Sequence, residues 1–121
     1  MTQFKLTYFN GRGRRETARV MFAAADVKYE DHRIEMADWP QIKPTTSHGY
    51  LPILTVDGKC LHQSGAINRY LAPKFGFMGS NDWEAALINE TAEIGDDLFR
   101  PMAESVFSSN KARKLSLADI T

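Results

Sequence analysis

The sequence predicts an α/β domain of order β-α-β, loop, β-β-α, followed by a long helix that opens an all-helical region. Three observations carry this. Phe4, Leu6 and Tyr8 alternate with Lys5 and Thr7 at the period of a strand with one buried face, and a helical stripe of Ala18, Met21, Phe22 and Ala25 follows. Asp57-Gly58 stands between two short strand-like runs, as in a hairpin whose turn needs positive φ angles. Beyond residue 82 the apolar period is helical: Trp83, Leu87, Ile94, Leu98, Met102 and Val106 fall on one stripe.

Taken in order, the first strand should end near Tyr8, where Asn10-Gly11-Arg12-Gly13 gives a turn signal, and Arg15 to Ala25 should form the first helix. Val27 to Ile34 carries Val27, Tyr29 and Ile34 among charged residues, so a second strand is expected there although its alternation slips at Glu30 and Asp31. If these two strands lie side by side, the connection makes them parallel with a right-handed crossover. Residues 35–50 contain Asp38-Trp39-Pro40 and Lys43-Pro44-Thr45-Thr46-Ser47, a loop with one helical turn started by Pro40. Loops of this length are often functional. Pro52 to Val56 and Lys59 to His62 flank the Asp57-Gly58 turn. Ser64 is expected to cap the next helix, whose Ile67, Tyr70, Leu71 and Phe75 keep helical spacing until Gly76 ends it. Asn81 or Asp82 should cap the long helix, which Pro101 should kink or interrupt. The expected domain boundary places residues 1–79 in the α/β domain and 80–121 in a partial helical one.

A chain of 121 residues holds one domain, or one plus the start of another. Fifteen Lys+Arg balance fifteen Asp+Glu, so no basic field exists to attract phosphates, and nucleic acid is not expected as a partner. A hydrophobic content of 43% excludes global disorder. No apolar stretch approaches the ~18 residues that span a bilayer, and Met1-Thr2-Gln3-Phe4-Lys5 begins no signal peptide, so the expected location is cytoplasmic, without membrane contact. The single cysteine, Cys60, removes intrachain disulfides, a Cys-x-x-Cys pair and any cysteine-rich zinc site, while His32, His48 and His62 lack metal-ligand spacing. Gly11-x-Gly13 is followed three positions later by Glu16, so the dinucleotide fingerprint is incomplete, and neither a phosphate loop nor Gly-x-Ser-x-Gly occurs.

Five motifs in order then suggest a family: Tyr8-Phe9-Asn10-Gly11-Arg12-Gly13-Arg14, Tyr29-Glu30-Asp31-His32-Arg33-Ile34, Asp38-Trp39-Pro40, Leu51-Pro52-Ile53-Leu54 and His62-Gln63-Ser64. Together, over about residues 3–105, they resemble the glutathione-binding half of sigma-class glutathione transferases, a group close to the haematopoietic-type prostaglandin D synthases and the S-crystallins. The resemblance implies a thioredoxin-like domain (β-α-β-α-β-β-α), then the first long helix of an all-α domain, in a homodimer. It also implies glutathione as co-substrate and a small hydrophobic electrophile as second substrate; no resident metal is expected.

Chemistry explains why such residues would be needed. A glutathione thiol has a pKa near that of free cysteine, about 8.5, so at neutral pH little of it is the reactive thiolate. Tyr8 matches the family's catalytic tyrosine, whose phenol donates to the sulfur and favours the anion, and Arg14 adds positive charge at the same turn. An isolated tyrosine there would read as an aromatic packed at a strand end. Ser64, which alone reads first as a helix cap, matches the residue that binds the γ-glutamyl carboxylate with the free amides of a helix N-terminus, assisted by Gln63. Trp39 and Lys43 match positions that hold the glycine end. The resemblance makes Pro52 a cis-proline, so that the Leu51 backbone pairs with the cysteinyl segment; without it, a trans turn would be the simpler reading. Asp97 matches a residue reaching the γ-glutamyl ammonium of the other subunit's ligand. Glu93, Asp96 and Asp97 also resemble a cation-binding cluster, but Arg100 stands where a helix-surface ion pair would form.

Two departures matter. Prostaglandin-active relatives bear a tryptophan near a Pro-x-Ala-Glu stretch, whereas this chain reads Pro101-Met102-Ala103-Glu104, which counts against prostaglandin specificity. Leu115-Ser116-Leu117-Ala118-Asp119-Ile120 looks like the capping segment of a later helix arriving early, so the second domain, and with it most of the electrophile pocket, is expected to be incomplete. The expected function is glutathione conjugation; the alternative is a non-catalytic glutathione-binding or S-crystallin-like structural protein.

Overall fold

The N-terminal alternation forms strand β1, Phe4–Phe9, in the computed structural model, which describes residues 1–11 and 13–107, with side chains as far as Pro101. Helix α1 spans Glu16–Ala25 and is closed by Asp26 in the left-handed conformation, φ 54°. Strand β2 is Glu30–Ile34 and pairs parallel with β1, from Lys5 opposite Glu30 to Phe9 opposite Ile34. It starts later than the expected Val27. The N–H of Val27 donates to the Phe22 carbonyl at the end of α1, and Val27 and Tyr29 pack against the core, so these residues finish the helix turn instead of entering the sheet.

After β2 the chain is more helical than a single turn: a 3-10 turn at Met36–Asp38, the short α2 at Trp39–Ile42 with Pro40 at its start, and a second 3-10 turn at Lys43–Thr45. Strands β3, Ile53–Val56, and β4, Lys59–His62, form the hairpin, with Asp57 at φ 48° and Gly58 at φ 84°, the paired positive angles the turn requires. The sheet order is β2-β1-β3-β4, with β1 antiparallel to β3.

Helix α3 covers Ser64–Lys74, and Gly76 at φ 80° follows its end. Its start corrects one expectation. The cap position belongs to Gln63, whose side chain makes no capping hydrogen bond, and Ser64 already lies in the first helical turn. Helix α4 runs Asp82–Phe107. Asn81 Oδ1 accepts the Glu84 N–H at 2.9 Å while Glu84 Oε1 accepts the Ser80 N–H at 2.6 Å, a reciprocal cap. The helix continues without interruption through Pro101, whose missing N–H removes one helical donor. The side chains of Met102 and Val106 and the segment 115–120 lie outside the described residues.

Among the described residues no helix is long and apolar enough to cross a membrane. The chain divides into two compact units, Met1–Phe77 and a second starting at Met78. In the first, Leu6, Phe22, Leu54, Ile67 and Leu71 are almost wholly buried. Phe22 stacks on Tyr29 at 4.3 Å between ring centroids and meets Phe4 edge-on at 5.3 Å, so α1 is fixed to the sheet by aromatic contacts as well as by aliphatic burial.

Candidate functional site

Strand register brings the predicted residues to one end of the sheet. Thr7 pairs with Ile53, and Ile53 with His62. The chain leaving β1 at Tyr8, the chain entering β3 through Leu51-Pro52, and the chain leaving β4 through Gln63-Ser64 therefore emerge side by side. The parallel pairing of Phe9 with Ile34 delivers the α2 region to that same end. Leu51 lies outside the β3 ladder, and the Leu51–Pro52 peptide bond is cis.

Tyr8 is partly buried at the end of β1, its ring against Phe9 at 5.6 Å. Phe9 meets the partly buried Trp39 edge-on at 5.5 Å, so the aromatic end of β1 holds α2 in place. Lys43, exposed, opens the second 3-10 turn. Thr46 Oγ1 donates to the Lys43 carbonyl at 2.8 Å and accepts from the Gly49 N–H at 2.9 Å. Gly49 needs its freedom here: it sits at φ 72°, and a Cβ would meet Lys43 Cε at 3.3 Å. His48 in the same strap packs on His62, with ring centroids 4.1 Å apart. Burial first, and then the neighbouring His48, push His62 below its ordinary pKa of 6.5.

Gln63 occupies φ 76°, ψ 122°, a backbone conformation that costs a non-glycine residue energy and is therefore worth a functional explanation. It directly precedes Ser64, the partly buried first residue of α3, where the helix presents unpaired amides. Asp97 is exposed on α4, in the second unit. The expected surface pair does form there, Arg100 Nη2 donating to Asp96 Oδ2 at 2.8 Å.

Comparison with known proteins decides the family. Residues 4–73 match the glutathione S-transferase N-terminal domain. The chain belongs to the glutathione S-transferase family. It is 53% identical to the haematopoietic prostaglandin D synthase of Gallus gallus over 106 residues, covering 86% of this chain and 53% of that protein. It is 51% identical to glutathione S-transferase 1 of Ascaris suum over 89 residues, covering 74% and 43% of the two chains. The structure of prostaglandin synthase D of Nilaparvata lugens superposes with a TM-score of 0.83 at 44% identity, over 91% of this chain and 55% of that one. A Nu-class transferase from Haemonchus contortus gives 0.79 at 45% identity, over 87% and 52%. The chain thus spans about half the length of these relatives. Its thioredoxin-like sheet with flanking helices, followed by a helical region, is the glutathione S-transferase fold.

Within this transferase domain, sequence reasoning missed Arg15. It is only 3% exposed, its Nε donates to the Gly11 carbonyl at 2.8 Å and its Nη1 to Asp31 Oδ1 at 2.7 Å. Nothing in the hydrophobic period marks a buried arginine; the only sequence signal is the acidic Asp31 in a strand that runs beside it.

Proposed function

We propose that the protein is a glutathione transferase of sigma type, which adds the glutathione sulfur to small hydrophobic electrophiles. Tyr8 donates its phenolic hydrogen to the sulfur and holds it as the thiolate, with Arg14 and the N-terminus of α1 adding positive potential at the same turn. Gln63, Ser64 and the free amides of α3 bind the γ-glutamyl carboxylate. Trp39 and Lys43 take the glycine carboxylate, and Leu51, beside Pro52, pairs its backbone with the cysteinyl residue. The thiolate attacks the electrophilic carbon, a C–S bond forms, and the displaced group leaves or the adduct takes up a proton. No metal takes part.

The observation that carries this reading is Tyr8, partly buried at the end of β1 where the register also delivers Leu51-Pro52 and Gln63-Ser64. Further support comes from relatives named glutathione S-transferases in Ascaris suum and Caenorhabditis elegans. The protein works as a homodimer in the cytoplasm, and Asp97 of each subunit reaches the γ-glutamyl ammonium of the ligand in the other. Titration with glutathione, combined with a chlorodinitrobenzene conjugation assay on wild type and Tyr8→Phe, tests the reading. Binding with Tyr8-dependent conjugation supports it. Binding without conjugation would assign the alternative, non-catalytic role, and no binding would reject both.

A further inference from the structure

We propose that Arg15 and Asp31 form a clamp that positions the turn carrying Tyr8, so that the acidity of bound glutathione depends on two residues that do not touch it. The proposal rests on the transferase reading above. Pairing of β1 with β2 ends at Phe9 opposite Ile34, and among the described residues one further backbone bond, Asn10 N–H to the Ile34 carbonyl at 3.2 Å, continues the ladder. Within the turn linking Tyr8 to α1, Gly11 N–H donates to the Phe9 carbonyl at 2.9 Å and Glu16 N–H to the Gly13 carbonyl at 3.0 Å, but neither bond reaches β2, so the tie from this turn to β2 needs something else.

Side chains hold it. Asp31 is the hub: Oδ1 accepts from Arg15 at 2.7 Å, and Oδ2 accepts from Arg33 Nε at 3.1 Å and Nη2 at 2.9 Å. Arg33 Nη1 then donates to Asn10 Oδ1 at 3.1 Å, and Asn10 Nδ2 donates to Glu35 Oε1 at 3.3 Å. Arg15 closes the network on the other side by gripping the Gly11 carbonyl. Residues 10 and 11, two and three positions after Tyr8, are thereby tied to β2 through side chains of both β2 and the α1 cap position.

Stability alone does not call for this arrangement. Arg15 is buried while the Asp31 side chain keeps 28% exposure, and an ion pair with one buried member gains little over apolar contacts of the same volume, because desolvating the buried charge offsets the attraction. A planar guanidinium does something an apolar side chain cannot: it holds one carbonyl and one carboxylate at a fixed separation. A hydrogen-bond donor aimed at a thiolate needs that kind of constraint, since displacement by about 1 Å can cost on the order of a hundredfold in rate. Arg15 and Asp31 are accordingly positioning residues for Tyr8 and the α1 N-terminus.

Arg15→Lys tests this, because lysine keeps the charge opposite Asp31 but cannot reach both partners as a fork. The readout is the titration of the glutathione thiol on the protein, followed by thiolate absorbance, together with the pH profile of conjugation. Wild type should bind glutathione with its thiol pKa below the free value of about 8.5. In Arg15→Lys that pKa should move back toward the free value, glutathione affinity should stay within about threefold, and neutral-pH conjugation should fall on the order of tenfold and recover in alkaline buffer. Asn10→Ala, at an exposed position, should move the thiol pKa the same way by a smaller amount and serves if Arg15→Lys does not fold. A folded Arg15→Lys, or a folded Asn10→Ala standing in for it, with the wild-type thiol titration would overturn the clamp while leaving the transferase reading in place. Wild type that binds no glutathione would reject that reading and the clamp with it.

Discussion

In the first unit Leu6, Phe22, Leu54, Ile67 and Leu71 are at most 1% exposed, whereas along α4 Trp83 is 72%, Ile94 55% and Leu98 46% exposed. Both sets keep a regular apolar period in the sequence. The difference is that the sheet, α1 and α3 are encoded within one stretch of the chain and can cover one another, while the stripe on α4 has no such cover among the described residues. Periodicity therefore identifies a helix and its apolar face, but it does not say whether that face has a partner. At about 25 cal/mol per Å² of apolar surface, the first unit gains the larger share of the stabilisation.

Truncation of one residue in each region gives the largest contrast. Phe22→Ala should destabilise the fold by about 3–5 kcal/mol, since it empties a site lined by Phe4, Tyr29 and Phe75, whereas Ile94→Ala should change stability by no more than about 0.5 kcal/mol. Denaturant midpoints of both variants check this, and equal losses would dissolve the contrast. Tyr8→Phe comes next: it keeps the ring contact with Phe9 and should leave glutathione affinity within several-fold, yet lower conjugation by on the order of 10- to 1,000-fold, as deletion of one preorganised donor does. Steady-state rates at saturating glutathione decide it.

Ser64→Ala sharpens the comparison within the first unit. Since Ser64 stands inside α3 and not at its cap position, stability should stay within about 0.5 kcal/mol while glutathione binding weakens by roughly 1.5–3 kcal/mol, the worth of a hydrogen bond to a charged group. Calorimetry beside thermal unfolding separates the two, and lowered stability with unchanged affinity would restore the capping role. The smallest effect concerns His62. Its pKa is lowered in the folded protein, so its contribution to stability is present above the unfolded value of about 6.5 and is lost as pH falls through the lower folded value. Between about pH 7.5 and pH 5, His62→Asn should therefore lose slightly less stability than wild type, as denaturation at the two pH values would measure.

The legible parts of the fold are those in which one residue type and one period coincide. Phe4, Leu6 and Tyr8 announced β1, Asp57-Gly58 announced the hairpin, and Gly76 marked the end of α3, because each is a local constraint. The start of β2 was not legible, since Val27 and Tyr29 are apolar for the sake of the core beside α1 and not for the sheet. Ser64 carried the right residue type for a cap but stands one position too late, the cap being set by the backbone of Gln63. Pro101 lies in a helix long enough to continue past it. At the candidate site, Tyr8, Leu51-Pro52 and Gln63-Ser64 were readable as motifs, while the pairing of Arg15 with Asp31 was not, because it depends on strand register that no local pattern encodes.

Amide hydrogen exchange with and without glutathione tests the central claim, that the first unit is a self-covered fold whose sheet end binds glutathione. Protection should be strong in β1, α1, β3 and α3 and weaker along α4. Added glutathione should raise protection chiefly in three segments, residues 8–16, 49–52 and 63–66. An exchange pattern unchanged by glutathione, or a gain concentrated outside those segments, would contradict it.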